Sequence, residues 1–373
     1  MAGLYVHIPF CKQRCVYCDF YSTTDTALQA SYVDMLIAEA HNRHGEIAQE
    51  FKTLYLGGGT PSWLDTALLV RLLDGLRVAL PLGGVEEFTI EVNPDDVTTC
   101  YAEALAAVGV NRVSMGVQSM VDDELRFMRR RHDARRVIDA LAVLRNHGID
   151  NISVDLIYGI PGQTMRSWQH SLDQVIDMGV QHISAYNLSY EKGTPLWLMR
   201  QQGQLTEVDD DTCVAMYRLL VEQLKHAGYE HYEISNFALP GLYSRHNSSY
   251  WDGTPYLGLG AAAHSYDGEV RRCNIADLRG YMHHIIDQDV AYSEERLSPS
   301  EQYDETVMLA LRTARGLDTS IIHHRFGQDI YDYLMLQARP HIAAGLLTAQ
   351  AGWLRLTPEA VMVSDNIISD LFR

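Results

Sequence analysis

The stretch Leu4-Tyr-Val-His-Ile-Pro-Phe-Cys11-Lys-Gln-Arg-Cys15-Val-Tyr-Cys18 decides how the rest of the chain is read. Leu4–Ile8 is a short apolar run with strand character. The loop after it places three cysteines within eight residues. Thiolates are soft ligands of the kind iron–sulfur clusters prefer, and a cubane normally takes four. Three close together with no fourth in register leave one iron open, and an open metal position is a substrate position. The competing ligand set is a structural zinc with His7 completing Cys3His. The usual pairing of two CxxC-like knuckles is missing, which disfavours it. Cys100, Cys213 and Cys273 stand apart and read as ordinary buried cysteines.

Outward from this loop, apolar runs rich in Val, Ile and Tyr alternate with helical patterns. Strands are expected at Leu4–Ile8, Thr53–Leu56, Glu87–Val92, Arg112–Val117, Asn151–Ile157 and His182–Tyr186. Helices are expected near Ser31–His44, Thr66–Leu80, Tyr101–Val108, Ala134–Asn146 and Ser167–Met178. In the first of these, Tyr32, Leu36, Ile37 and Ala40 fall on one face at helical spacing. Such alternation implies parallel βαβ units. Six units are too few for a closed eight-fold barrel, so a partial barrel or an open doubly wound sheet fits. In both, ligands bind at the carboxyl ends of the strands. Cys11, Gly57–Gly59, Glu91 with Asn93, Gln118, Asp155 with Gly159, and Asn187 all read as lying on that one rim.

From about Ser298 the pattern changes. Helices near Ser300–Ala314, Thr319–Phe326 and Ile330–Ala338 precede Gly345–Leu347 and Trp353–Leu356, giving a small helical domain with a short β-wing. The expected organisation is a barrel over residues 1–210, an extension over 211–297 and a winged-helix-like domain over 298–373.

With 47% hydrophobic and 21% charged residues, the chain reads as globular. A formal charge of −18 disfavours a nucleic-acid partner. One local exception, Arg126 to Arg136, reads as a solvated helix face. No run of 18 apolar residues occurs, so a membrane span is not expected. The N-terminus lacks the features of a signal peptide, and a cytoplasmic protein is expected.

The CxxxCxxC loop resembles the signature of the radical S-adenosylmethionine (SAM) superfamily. The resemblance implies a partial (β/α)6 TIM-like barrel. It also implies an oxygen-sensitive [4Fe–4S] cluster on Cys11, Cys15 and Cys18, with SAM chelating the open iron through its amino and carboxylate groups. In that superfamily an electron from the cluster can cleave the sulfonium and release a deoxyadenosyl radical. Glycines in Gly57-Gly-Gly-Thr60 let backbone approach a small ligand closely. Glu91 has an electrostatic reason to sit beside a sulfonium or ammonium. Gln118 and Asp155 could hydrogen-bond a ribose diol, and Arg130 offers a planar fork for a carboxylate. Considered alone, these residues also fit a tight turn, strand-end capping and a solvated helix face.

Over nearly the whole chain the resemblance is to the oxygen-independent coproporphyrinogen III oxidase-like family, and within it to the haem-chaperone (HemW) group. It is carried by Tyr5-Val-His-Ile-Pro-Phe-Cys11, Leu56-Gly-Gly-Gly-Thr-Pro-Ser62, Gly116-Val-Gln-Ser119 and Asp155-Leu-Ile-Tyr-Gly-Ile-Pro161. It implies SAM contacts for Tyr5, Tyr17, Gly58, Gly59, Thr60, Glu91, Gln118, Arg130 and Asp155, with Ile157 and Ser189 near the adenine. Two departures separate the chain from the oxidase. Phe20 stands where that enzyme has an additional cysteine, and the first strand begins almost at the initiator methionine, without the oxidase's long preceding segment. His246-Asn-Ser-Ser-Tyr250-Trp251 resembles the haem-associated HNxxYW motif of the chaperone group, which makes His246, Tyr250 and His264 candidate haem-binding residues. An imidazole is a common axial ligand, and Tyr250 and Trp251 could pack on a porphyrin face. The bland reading of these residues is a hydrogen-bonding histidine and core aromatics. Gly258-x-Gly260-x-x-Ala263 echoes a dinucleotide fingerprint but lacks the strand–helix unit that would support it.

Three functions are therefore in play: a haem-trafficking protein with haem as cargo, a radical enzyme such as the oxidase, and a zinc-stabilised binding module. The first is favoured. Its expected partners are haem and an acceptor protein that could be membrane-associated, with a homodimer left open.

Overall fold

A computed structural model describes residues 1–287 and 292–373. Strands β1 (Ala2–Ile8), β2 (Phe51–Gly58), β3 (Glu87–Val92), β4 (Arg112–Gln118), β5 (Asn151–Tyr158) and β6 (His182–Asn187) pair in chain order, all parallel. The five intervening main helices are Gln29–Asn42, Thr66–Ala79, Thr99–Ala107, Ala134–Asn146 and Met165–Asp177. Sequential order without a reversal is the winding of a barrel, not of a doubly wound sheet with a switch point. Every strand and helix expected in this half is present, with ends differing by a few residues.

Each barrel strand alternates. Leu4, Val6 and Ile8, Leu54 and Leu56, Ile90, Val113 and Met115, Ile152 and Val154, and Ile183 join one core with Leu36, Leu72, Leu76, Leu141, Leu144 and Leu172 of the helices. The opposite face of the same strands carries Tyr5, His7, Tyr55, Thr89, Glu91, Arg112, Ser114, Ser153, Asp155, His182 and Ser184. Period-two alternation therefore gives the barrel an apolar outside beneath its helices and a polar inside.

Residues 230–296 add strands to both edges. β7 (Glu230–Glu233) and β8 (Asn236–Ala238) form a hairpin whose second strand pairs antiparallel with β6. β9 (Tyr256–Leu259) pairs parallel with β1 and is followed by antiparallel β10 (His264–Tyr266), β11 (Val270–Asn274) and β12 (Tyr292–Arg296). Between the two edges runs the helix Arg245–Trp251, capped by Ser244.

Helices Pro299–Leu311, Thr319–Phe326 and Gln328–Ala343 pack with a three-stranded antiparallel sheet around a separate core containing Tyr303, Val307, Leu311, Leu334 and Leu354. The strands of that sheet are β13 (Leu317–Asp318), β14 (Leu347–Gln350) and β15 (Trp353–Leu356). Backbone bonds from Ile234 N to Arg312 O and from Ala314 N to Tyr232 O, both 3.0 Å, tie this unit to the barrel extension, together with an Arg271–Glu305 ion pair. Among the described residues no helix is long and apolar enough to cross a membrane.

Candidate functional site

A cavity of about 490 Å³ opens at the carboxyl ends of β1–β6 and runs down inside the barrel. Its walls bring together Cys11, Cys15, Tyr17, Cys18, Gly58, Gly59, Thr60, Glu91, Gln118, Arg130 and Asp155, along with Ile157 and Ser189. Tyr5 stands outside this lining. It lies behind Gly57, where its hydroxyl meets His7 Nδ1 at 3.1 Å and its ring stacks on Tyr55. Glu91 is the penultimate residue of β3, near its carboxyl end as expected, while Asp155 sits further back within β5 and reaches the cavity from its side wall.

The cysteine loop is held from three sides. Cys11 N donates to Thr23 O, Val16 N to Met128 O, and Leu196 N to Val16 O. Val16 is buried with Leu125, Met128 and Ile157. Cys11 Sγ accepts from Thr60 Oγ1 at 3.4 Å, and Cys15 Sγ from Arg130 Nη1 at 3.3 Å. Burial pushes both the Cys11 and Cys18 thiols up, Cys18 to about 11. Thiols in such a site ionise readily only against a metal cation.

His7, the fourth ligand of the zinc alternative, is occupied. Its Nε2 lies 3.0 Å from Tyr21 O and its Nδ1 faces Tyr5. Among the described residues no three histidine, cysteine or carboxylate side chains converge on a single ion. A cubane, whose thiolates bind different irons, does not require that convergence. Gly59 fits closely over the cluster loop, since a Cβ there would lie 2.8 Å from the Pro9 carbonyl carbon and 2.9 Å from Cys11 Sγ. Gly58 has φ +118°, and a Cβ on it would strike the His7 ring. These residues fit a three-cysteine cluster with a small ligand against the glycine turn.

The cofactor end of the cavity is polar and strongly desolvated. Glu91 accepts from Tyr55 Oη at 2.8 Å and from Gly58 N at 3.1 Å. Burial nevertheless raises its carboxyl to about 7, and Asp155 adds to the shift. Asp155 is raised to about 6 by burial, opposed by Ser184, Arg112 and Ser114. Two buried carboxyls of this kind suit a cationic ligand. Arg130 lies beside Tyr17 and Cys15, bonds Gly116 O, and has a buried Nε without a partner. At Gln118 a register shift in β4 coincides with φ +72°, so a bulge turns this side chain at the rim. Tyr55, Ser114, Ser153 and Ser184 also line the cavity and were missed by motif reading. The signal for them was the alternation of polar and apolar residues in every strand.

Two sequence expectations are corrected. The Arg126–Arg136 run is no single solvated face: Arg126 and Arg135 are exposed, Arg130 lines the cavity, and Arg131 forms a largely buried pair with Asp96 at 2.8 Å. Of the three isolated cysteines only Cys213 is buried; Cys100 is exposed and Cys273 half-buried.

Of the haem candidates, His246 and Tyr250 meet and His264 lies apart. His246 is 1% exposed, with Nδ1 2.8 Å from Thr53 Oγ1 and Nε2 2.9 Å from Tyr250 Oη. Its ring stacks on Tyr55, and burial followed by Arg112 lowers its pKa to about 3. In this arrangement neither nitrogen is open to a ligand. His264 lies instead on β10, between β9 and β11, exposed, with Nε2 3.4 Å from Cys273 Sγ.

This fold and cavity define the radical SAM class, and the pattern of the Radical SAM superfamily matches residues 5–175, with the HemN C-terminal domain matching 297–363. Heme chaperone HemW of Bacillus subtilis is 34% identical over 98% of this chain and 98% of its own length, and HemW of Lactococcus lactis is 36% identical over 86% and 84%. A bovine relative, radical S-adenosyl methionine domain-containing protein 1, mitochondrial, is 32% identical over 99% of this chain and 87% of its own. The chain belongs to the HemW family of the radical SAM superfamily. Among solved structures, coproporphyrinogen III oxidase (HemN) of Escherichia coli has the same fold, with a TM-score of 0.87 over 100% of this chain and 90% of that one at 24% identity.

Proposed function

We propose that this protein is a haem chaperone: it binds haem, carries a SAM-ligated [4Fe–4S] cluster, and passes the haem to an acceptor protein. The observation that carries the reading is the full-length similarity to proteins named heme chaperone HemW. Cys11, Cys15 and Cys18 would hold the cluster. Gly58, Gly59, Thr60, Glu91, Gln118, Arg130 and Asp155 would hold SAM, with Tyr17 flanking Arg130. When bound, the pair supplies one-electron reductive chemistry at the sulfonium. The chain's own part is to exclude water, to set Arg130 against the cluster loop, and to present Glu91 and Asp155 to a cation.

The second reading is radical oxidation of a porphyrinogen. The fold shared with HemN and the intact cofactor walls favour it. Against it stands Phe20, 65% exposed at the lip of the cavity, where the oxidase has a further cysteine.

The test is anaerobic cluster reconstitution followed by titration with haem, read at the Soret band, and then mixing with apomyoglobin as a model acceptor. A saturable one-to-one complex that gives up its haem supports the chaperone. No stoichiometric complex, together with decarboxylation of coproporphyrinogen III by the same preparation, overturns it in favour of the oxidase.

A further inference from the structure

A second, larger cavity lies between the barrel extension and the C-terminal unit. It measures about 1300 Å³, against about 490 Å³ for the cluster cavity. The two share one wall. In the helix Arg245–Trp251, Asn247 lines the cluster cavity while Ser248 and Trp251 line the larger cleft. Main-chain N–H groups of Arg245 and His246 are fixed on the Glu87 carboxylate at the amino end of β3, at 2.9 and 2.8 Å. The helix therefore closes the barrel at the end opposite the cysteine loop, with His246 as its inward anchor.

Resting on the chaperone reading above, we infer that the haem cargo occupies this interdomain cleft, with its ring against Trp251 and its propionates toward Arg315 and Arg325, separated from the cluster cavity by the helix Arg245–Trp251. Size is the first reason: the cleft exceeds the usual range for drug-sized ligands, as a porphyrin requires. Aromatic walls are the second. Trp251 and Tyr243 stand on the barrel side, and flat apolar rings bind a porphyrin face. Trp353 on the C-terminal side is covered by Arg315 and Arg355 and serves to hold Arg315 at the cleft.

Charge is the third reason. Arg315 stacks over Trp353, and Arg325 bonds only the neutral side chains of Gln302 and Thr306. Among the described residues neither arginine is in an ion pair. The same walls carry Glu230, Glu233, Asp252, Glu269, Glu305 and Asp318. Glu305 is paired with Arg271, Asp318 accepts from Ser320 N and feels the Arg315 charge, and among the described residues none of the six is ion-paired with Arg315 or Arg325. The arginine forks are thus left for the ligand's own carboxylates. The motif's conspicuous histidine acts as a positioning residue that seats the helix, and its tryptophan meets the cargo.

The experiment is haem titration of the full-length, cluster-loaded protein and of Trp251→Ala, the double variant Arg315→Glu/Arg325→Glu, Asn247→Ala and the remote Arg135→Glu, each checked for fold by circular dichroism. The Trp251 and double-arginine variants are expected to weaken haem binding by about tenfold or more each. Arg135→Glu is expected to bind as the parent does. The double variant, altered only at exposed side chains, keeps the test decisive if Trp251→Ala fails to fold. Parent-like binding by the double variant, or loss of binding in Asn247→Ala alone, overturns the cleft while leaving the chaperone reading intact. Absence of a stoichiometric complex in the parent protein overturns both.

Discussion

Glu91 and Asp155 lie in one buried cavity, and their carboxyls hold protons up to about pH 7 and 6. Both pKa values are raised in the fold, so the ligand-free protein binds more protons than the unfolded chain. Stability should therefore fall as pH rises from the ordinary carboxylate range through about 7, the reverse of an ion-paired carboxylate. A cationic ligand needs both groups ionised. SAM affinity, measured by anaerobic equilibrium binding, should strengthen about tenfold between about pH 6 and pH 8. Glu91→Gln should lose most of that dependence and bind about tenfold more weakly at the upper pH. A flat profile in the native protein would remove the carboxyls from the cofactor site. At the glycine turn, Gly59→Ala should displace Cys11, because the added carbon meets both Cys11 Sγ and the Pro9 carbonyl within 3 Å. The expected result is a large drop in iron per chain after reconstitution with the fold retained. Undiminished iron would mean the loop shifts freely.

At the scale of the element, the helix Arg245–Trp251 is held by buried polar contacts more than by length. His246 links Thr53 to Tyr250 and stacks on Tyr55. Its replacement by alanine leaves two hydroxyls short of a partner and a hole in the barrel floor, a cost of about 2–4 kcal/mol. Denaturant unfolding should show this loss, while whatever haem complex the variant forms should keep the parent's Soret position. A shifted band with unchanged stability would instead place His246 on the iron. The barrel elements were legible in the sequence because their apolar residues recur at helix or strand period, as in Thr66–Ala79 or Glu87–Val92. The strands of the extension were not. β12, Tyr-Ser-Glu-Glu-Arg, is exposed throughout, and β8 has only three residues, so tertiary pairing rather than pattern makes them strands. The cysteines were legible from spacing alone. Arg112, 1% exposed among Asp155, His246 and His182, was not, because nothing local marks a buried arginine. The polar barrel interior was written in the alternation of every strand, but short apolar runs hide it unless the strands are aligned.

Across the whole molecule, the barrel has two ends with different tasks. One carries the cysteine loop and the glycine turn; the other is stoppered by a single helix that faces the C-terminal unit. The walls are connected beyond that helix, since Tyr232 on the cleft meets His182 Nε2 at 2.8 Å and His182 Nδ1 meets Ser153 on the cluster cavity at 2.7 Å. A ligand in either cavity should therefore leave its own footprint in amide hydrogen exchange, which reports local opening. SAM should protect the segments around Cys11–Cys18, Gly57–Thr60 and Arg129–Arg131. Haem should protect Glu230–Glu233, Ser248–Gly253 and Thr313–Asp318, which line the cleft from both units. Bringing two separately cored units together over a ligand slows opening of both, so protection on the C-terminal side discriminates best. Haem protection confined to the cysteine loop and glycine turn would put cargo and cofactor in one cavity and return the oxidase reading to the front. Protection of Thr313–Asp318 by haem but not by SAM would place the cargo outside the reach of the cluster, on the far side of the helix that His246 anchors.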